Sequence, residues 1–206
     1  MRIKILTPAT SANLGPGFDT LGLALEIFNQ LEIDTDSTEM AINIEGEGSS
    51  ILPKGEQNLA CRAIAEVYAR MGKAVPPLRI KQINRIPIAS GLGSSAAAIV
   101  GGLVAANRLL GCPLATNDLL QLAVGIEGHP DNVAPALLGA VVVSGIDSGK
   151  VLWYQIQPVN PPQMIVISPS FRLSTAKARQ VLPKRVLLAD AVHNLSRTAF
   201  LLHCFA

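Results

Sequence analysis

The stretch "PIASGLGSSAAA", residues 87–98, is the most informative part of this sequence for both fold and chemistry. It places two glycines two residues apart, follows them with two serines, and runs into alanines. Alternating residues before it predict a strand, and the apolar segment 96–110 after it predicts a buried helix. A glycine turn that leads into a helix offers free backbone N–H groups and a partial positive charge. The stretch therefore predicts an anion-binding loop that works without a lysine.

A purely structural explanation of this loop stays open. Small residues in a strand-to-helix turn also allow two elements to pack closely. The pattern matches neither the G-x-x-x-x-G-K-[ST] phosphate loop nor the G-x-G-x-x-G dinucleotide loop. The residues of the loop alone therefore do not choose between a ligand site and a tight turn.

The composition is typical of a globular protein. The chain has 206 residues, of which 49% are apolar and 16% charged, and a net charge of +2. No basic block is present, so we expect no nucleic-acid partner, and no apolar run is long enough to predict a membrane span. Cys61, Cys112 and Cys204 stand far apart, which predicts a reduced chain and a cytoplasmic location.

The periodicity predicts an α+β protein. Helices are expected at 58–71, 96–110 and 116–128, after Ser174, and from 186 to the end. Strands are expected at 2–5, 39–48, 76–87, 139–145, 150–156 and 162–169, with loops at 7–25 and 128–139. The last helix runs to the final residue without a capping signal, and we therefore expect a truncated chain.

Four segments together resemble one family. They are "PATSANLGPGFDTLGLAL" at 8–25, "PIASGLGSSAA" at 87–97, "EGHPDNVAPALLGA" at 127–140 and "STAKARQVLP" at 174–183. In this order they resemble the GHMP kinases, and within them the homoserine kinases. The resemblance implies a two-layer, ribosomal-protein-like N-terminal domain at 1–158. It also implies an incomplete ferredoxin-like C-terminal domain at 159–206.

The resemblance implies transfer of the γ-phosphoryl group of ATP to the side-chain hydroxyl of L-homoserine, with Mg²⁺. The residues expected to bind ATP are Asn58, Pro87, Ile88, Ala89, Ser90, Gly91, Leu92, Gly93, Ser94, Ser95, Ala96 and Ala97. Ser95 and Glu127 are the expected Mg²⁺ ligands. The residues expected to contact homoserine are Asn13, Asp19, His129, Asn132 and Arg179. Asn13 is expected to orient the reacting hydroxyl, and no catalytic base is assigned.

Taken one at a time, the candidate residues have simpler explanations. Asn13 and Asp19 are typical turn residues, and Arg179 suits a solvated helix face. Two other functions also stay open. The chain could be another small-molecule kinase of the same family, or a truncated, inactive fragment that only binds nucleotide. Whether it forms a homodimer is left open too.

Overall fold

The long strand β2 organises the sheet in this computed structural model, which describes residues 1–167 and 175–205. Within these residues six strands form one sheet: β1 (Arg2–Ala12), β2 (Leu21–Asp34), β3 (Ala41–Gly46), β4 (Arg79–Asn84), β5 (Val141–Asp147) and β6 (Lys150–Ile156). β1 lies antiparallel along one side of β2. β4 and β5 share its other side, β4 beside its C-terminal half and β5 beside its N-terminal end. β3 joins β4 in parallel, and β6 joins β5 antiparallel.

The first two strands correct the sequence prediction. Residues 7–25 were expected to form a loop, but β1 continues to Ala12 and β2 begins at Leu21. The register shifts between Pro8 and Ala9, where two extra residues of β2 are accommodated. Such a bulge breaks the alternation on which strand prediction depends. The true loop is only 13–20, and it is held between two paired strands.

Six helices within the described residues complete a mixed α+β fold, which confirms the expected class. They are α1 (Leu59–Arg70), α2 (Ser94–Leu109), α3 (Thr116–Glu127), α4 (Pro130–Leu138), α5 (Thr175–Gln180) and α6 (Leu188–Phe205). The main core lies between the sheet and α1 to α4, and its largest fully buried side chains include Ile33, Ile64, Ile99, Leu103 and Leu120. α2 is apolar on most of its surface because it packs on the sheet and on three helices.

α4 is a second correction, because 128–139 was predicted to be a polar loop. Pro130 occupies the first helical position, where a missing N–H costs nothing. Pro135 lies inside the helix and cannot donate to the carbonyl of Asp131. Gly22 of β2 approaches that carbonyl so closely that a Cβ on Gly22 would lie 1.9 Å from it. The two prolines that argue for a loop are therefore accommodated in a short helix packed on the sheet.

The C-terminal part matches the prediction in its helices but not in its strand. α5 and α6 form as expected, although Ser174 lies outside the described residues. Residues 161–167 contain no strand, so the expected strand at 162–169 is wrong over that range. α6 packs Leu202 and Phe205 against the smaller apolar cluster beside the N-terminal end of β2. None of the described helices combines the length and the apolar character that crossing a membrane requires.

Candidate active site

One cavity of about 640 Å³ opens where the loop after β1, the loop before α2 and the start of α4 converge. This volume is in the range of small-molecule sites. Its lining includes most of the predicted residues: Asn13, Asn58, 87–95, Glu127, His129, Asn132 and Arg179. Asp19, Ala96 and Ala97 are predicted site residues that do not line it. The fold thus brings five distant sequence segments to one cavity.

The glycine-rich loop leads directly into the N-terminus of α2. Gly93 is the N-cap residue and has a φ of 66°. Gly91 and Ala89 within the loop also have positive φ angles. No side chain caps this helix end, so its first N–H groups remain available to a ligand. A Cβ on Gly93 would lie 1.9 Å from the hydroxyl oxygen of Thr10. Glycine is therefore required here both for its backbone conformation and for space.

Two oxygen ligands of the expected metal lie side by side. The hydroxyl of Ser95 donates a hydrogen bond of 2.6 Å to Oε1 of Glu127. Ser95 belongs to the first turn of α2, whereas Glu127 ends α3, 32 residues later. Packing of α3 on α2 creates this contact, which sequence spacing alone does not predict.

Asp19 and Arg179 form an ion pair across 160 residues. The guanidinium of Arg179 donates to both carboxylate oxygens of Asp19, at 2.5 and 2.9 Å. It also lies 5.4 Å from the ring centre of Phe18, and the pair raises the pKa of Arg179. Oδ1 of Asn13 accepts the backbone N–H of Asp19 at 3.0 Å and so fixes the loop. Asp19 thus stands beside the cavity, although only its partner Arg179 lines it.

His129 is held by a residue that the prediction did not include. Nδ1 of His129 lies 2.5 Å from the carboxylate of Asp131, whose side chain is only 2% exposed. This hydrogen bond raises the pKa of His129, partial burial opposes it, and the charges of Asp131 and Glu127 add to the rise. The nearby positive charge of Arg179 opposes it as well. The result favours a positively charged imidazole in the cavity wall.

Three of the residues predicted to bind ATP also make contacts within the protein. Asn58 caps α1: its Oδ1 accepts from Ala60, while its Nδ2 donates to Pro53 and Gln82. Its polar atoms are therefore occupied, although it lines the cavity. The side chains of Ala96 and Ala97 are buried in the core, so a ligand can reach only their backbone.

Sequence reasoning missed several residues that belong to the site. Asp131 lies within the quoted segment 127–140 but is not among the predicted site residues. Gln82 and Asn84 of β4 and Phe18 also line the cavity, and Thr10 lies behind it. The role of a buried polar residue in a strand cannot be inferred from hydrophobic periodicity, because its hydrogen-bond partners lie in distant segments of the sequence.

Comparison with known proteins identifies the family. Residues 58–140 match the family described as "GHMP kinases N terminal domain". The chain is 49% identical over 203 residues to a homoserine kinase of Carboxydothermus hydrogenoformans, covering 98% of this chain and 66% of that protein. It is 48% identical over 204 residues to a homoserine kinase of Moorella thermoacetica, covering 98% and 68%. The chain belongs to the homoserine kinase family.

A crystal structure of homoserine kinase from Cytophaga hutchinsonii supports this assignment at the level of the fold. It superposes with a TM-score of 0.83 at 29% identity, covering 99% of this chain and 67% of that one. The chain therefore spans about two thirds of the length of the relatives that it matches. The mixed α+β class is confirmed by this match.

Proposed function

We propose that this chain carries the ATP and homoserine sites of a homoserine kinase and transfers the γ-phosphoryl group of ATP to the side-chain hydroxyl of L-homoserine. One observation carries the proposal: an uncapped helix N-terminus lines the cavity, and an ion pair of opposite charges reaches the same cavity through Arg179. A triphosphate needs the free N–H groups of the helix N-terminus, and a zwitterionic amino acid needs the pair of opposite charges. The identity to homoserine kinases over almost the whole chain supports the same substrate.

For ATP, the chain supplies position and compensating charge. Phosphoryl transfer proceeds through a loose transition state that requires alignment and electrostatic stabilisation more than covalent catalysis. The N–H groups at the start of α2 and the dipole of its 16 residues suit the triphosphate. The raised pKa of His129 favours its positively charged form in the same wall.

The oxygen ligands of Ser95 and Glu127 fit a magnesium ion. Mg²⁺ prefers carboxylate and hydroxyl oxygens and completes its shell with water and phosphate oxygens, so two protein ligands suffice. Their separation of 2.6 Å allows both oxygens to face one ion. When bound, the ion neutralises negative charge on the phosphate oxygens. Among the described residues no three acidic, histidine or cysteine side chains are arranged to hold a metal ion, so we propose that ATP itself completes the site.

For homoserine, we propose that Asp19 binds the ammonium group and Arg179 the carboxylate. The two side chains now neutralise each other, and each is about one third exposed. A zwitterion can replace their mutual contact with two contacts of the same charge pattern. Asn13, His129 and Asn132 line the wall beside this pair and are the proposed contacts of the rest of the substrate.

Four finer assignments belong to the proposal. We propose a domain boundary near residue 158, which is supported by the end of β6 at Ile156. The ribosomal-protein-like and partial ferredoxin-like architectures of 1–158 and 159–206 remain predictions, as do a cytoplasmic location and the state of assembly. Sedimentation of the purified chain tests the last of these.

The test is an ADP-release assay with homoserine, mevalonate and galactose, run beside a direct nucleotide-binding measurement. We expect turnover with homoserine alone. Asp19→Asn should raise the KM for homoserine about tenfold or more, because a charged contact is lost, and should leave nucleotide affinity unchanged. Asp147→Asn, an exposed position at the end of β5, is the matched control.

Other results would assign a different function. Preference for mevalonate or galactose would make the chain another kinase of the wider family. Nucleotide binding without turnover of any substrate would make it a binding fragment. Equal loss of nucleotide and homoserine binding in Asp19→Asn would contradict the assignment of Asp19.

A further inference from the structure

We propose that Thr10 is a positioning residue, whose hydroxyl fixes the orientation of the Asn132 amide so that its nitrogen, and not its oxygen, is presented to the bound ligand. Thr10 lies in β1 and is fully buried, so it touches no ligand itself. This inference rests on the proposed function only for the identity of the ligand that the Asn132 amide contacts.

The contacts of Thr10 place it where three elements meet. Its backbone N–H donates to the carbonyl of Leu92 in the glycine-rich loop at 3.0 Å. Its hydroxyl donates to Oδ1 of Asn132 in α4 at 2.8 Å. A Cβ on Gly93 would lie 1.9 Å from this hydroxyl oxygen and 3.2 Å from Oδ1 of Asn132. The loop, β1 and α4 are thus in contact through one hydroxyl group.

The other side of Asn132 faces an acceptor. Nδ2 of Asn132 lies 3.5 Å from Oδ1 of Asp131, the same oxygen that accepts from His129. An ionised carboxylate can only accept hydrogen bonds. If the amide of Asn132 turned over, its oxygen would face that carboxylate. The hydroxyl of Thr10 would then lose its acceptor in a place that water cannot reach.

The hydroxyl of Thr10 on one side and the carboxylate of Asp131 on the other therefore select one orientation of the Asn132 amide. Oδ1 of Asn132 is occupied by Thr10, whereas Nδ2 makes only the long contact with Asp131. The group left for a ligand in the cavity is an N–H donor. It suits an acceptor oxygen of either the amino acid or the triphosphate.

The test compares Thr10→Val with Thr10→Ser and Thr7→Val. Valine keeps the shape of threonine but removes the hydroxyl, and serine restores the hydroxyl. Thr7 is an equally buried threonine of β1 that lines a separate, water-sized space behind α2. It is therefore a matched control outside the site.

The first measurement does not depend on activity. The side-chain amide resonances of Asn132 are followed by NMR, with an Asn132→Asp variant to assign them. We expect Thr10→Val to shift these resonances and speed their hydrogen exchange, whereas Thr10→Ser and Thr7→Val keep the parent values. Unchanged resonances in Thr10→Val, or an equal change in Thr7→Val, would overturn the proposal.

The second measurement identifies the ligand contact. We expect Thr10→Val to lower kcat/KM about tenfold, the size of one lost hydrogen bond, with a melting temperature close to that of the parent. A rise in the KM for homoserine alone identifies the amino acid as the acceptor, and weaker binding of ATP alone identifies the triphosphate. If the parent chain shows neither turnover nor binding, the proposed function fails, while the NMR result still decides the role of Thr10.

Discussion

Gly93 combines two constraints at one residue. Its φ of 66° is unfavourable for other residues, and a Cβ would collide with the hydroxyl of Thr10. Gly72 at the end of α1 shares the first constraint, with φ of 64°, but has open space around it. The two glycines therefore separate the cost of backbone strain from the cost of a steric clash.

We predict that Gly93→Ala lowers the free energy of unfolding by more than Gly72→Ala, which should lose only about 1–2 kcal/mol. Gly93→Ala should also weaken nucleotide binding strongly, since Thr10 and the loop must move apart. Urea unfolding and nucleotide titration of both variants are the measurements. Parent-like nucleotide affinity in Gly93→Ala would show that the loop serves only as a turn.

His129 makes the stability of the protein depend on pH. Its pKa is raised from the usual 6.5, first by the hydrogen bond to Asp131, while Glu127 supports and Arg179 opposes the rise. A raised folded-state pKa stabilises the fold fully below the unfolded-state value, and this stabilisation disappears as the pH rises through the folded-state value.

We therefore predict that the free energy of unfolding decreases as the pH rises from about 6 through the folded-state pKa of His129. His129→Gln should flatten this decrease, and Asp131→Asn should lower the pKa of His129 in an NMR titration. His193→Gln, at an exposed position of α6, is the control. An unchanged pH profile in His129→Gln would show that other groups cause the decrease.

At the scale of elements, α1 packs closely on α2, the helix that follows the glycine-rich loop. A Cβ on Gly102 of α2 would lie 2.4 Å from the carbonyl oxygen of Ala60 and 2.9 Å from the Cβ of Ala63. Gly125 of α3 is also inside a helix but has open space around it. Helix propensity favours alanine at both positions by about 1 kcal/mol, so only packing distinguishes them.

We predict opposite effects of the same substitution in these two helices. Gly125→Ala should raise the free energy of unfolding by about 0.5–1 kcal/mol. Gly102→Ala should lower it, because α1 and α2 must separate. Thermal and urea unfolding measure both changes. Stabilisation by Gly102→Ala would mean that the two helices are not packed as closely as described.

At the scale of the whole molecule, the C-terminal part leaves large apolar side chains exposed. They include Ile165, Ile167, Val181, Val186, Leu187, Leu188, Val192, Leu195 and Phe200. α6 packs only Leu202 and Phe205 on the smaller apolar cluster. The hydroxyl of Thr198 in α6 also donates a hydrogen bond to the carbonyl of Pro16. Exposed apolar side chains in this number promote association.

We predict that the purified chain of 206 residues self-associates in a concentration-dependent way. Replacing Leu188 and Leu195 by lysine should shift it towards the monomer, whereas Met40→Lys, at an exposed position just before β3, should not. Size-exclusion chromatography with light scattering measures the mass. A monomer at every concentration would contradict the prediction.

Local signals accounted for the elements that have a clear period. The helical face at 58–71 and the strand predicted at 150–156 correspond to α1 and β6. The bulged end of β1, the start of β2 and the proline-containing α4 were missed, because their local patterns resemble loops. Long-range pairing with β2 and packing on the sheet stabilise them in spite of that pattern.

The sequence by itself determined the α+β class, the glycine-rich loop before α2 and, through four ordered segments, the family. These depend on local periodicity and on residue order, which are visible without coordinates. Only the tertiary structure decided that Ser95 meets Glu127, that Asp19 pairs with Arg179, and that buried Thr10 and Asp131 orient Asn132 and His129. The reason is physical: these partners come from different elements, and no local pattern encodes the packing that brings them together.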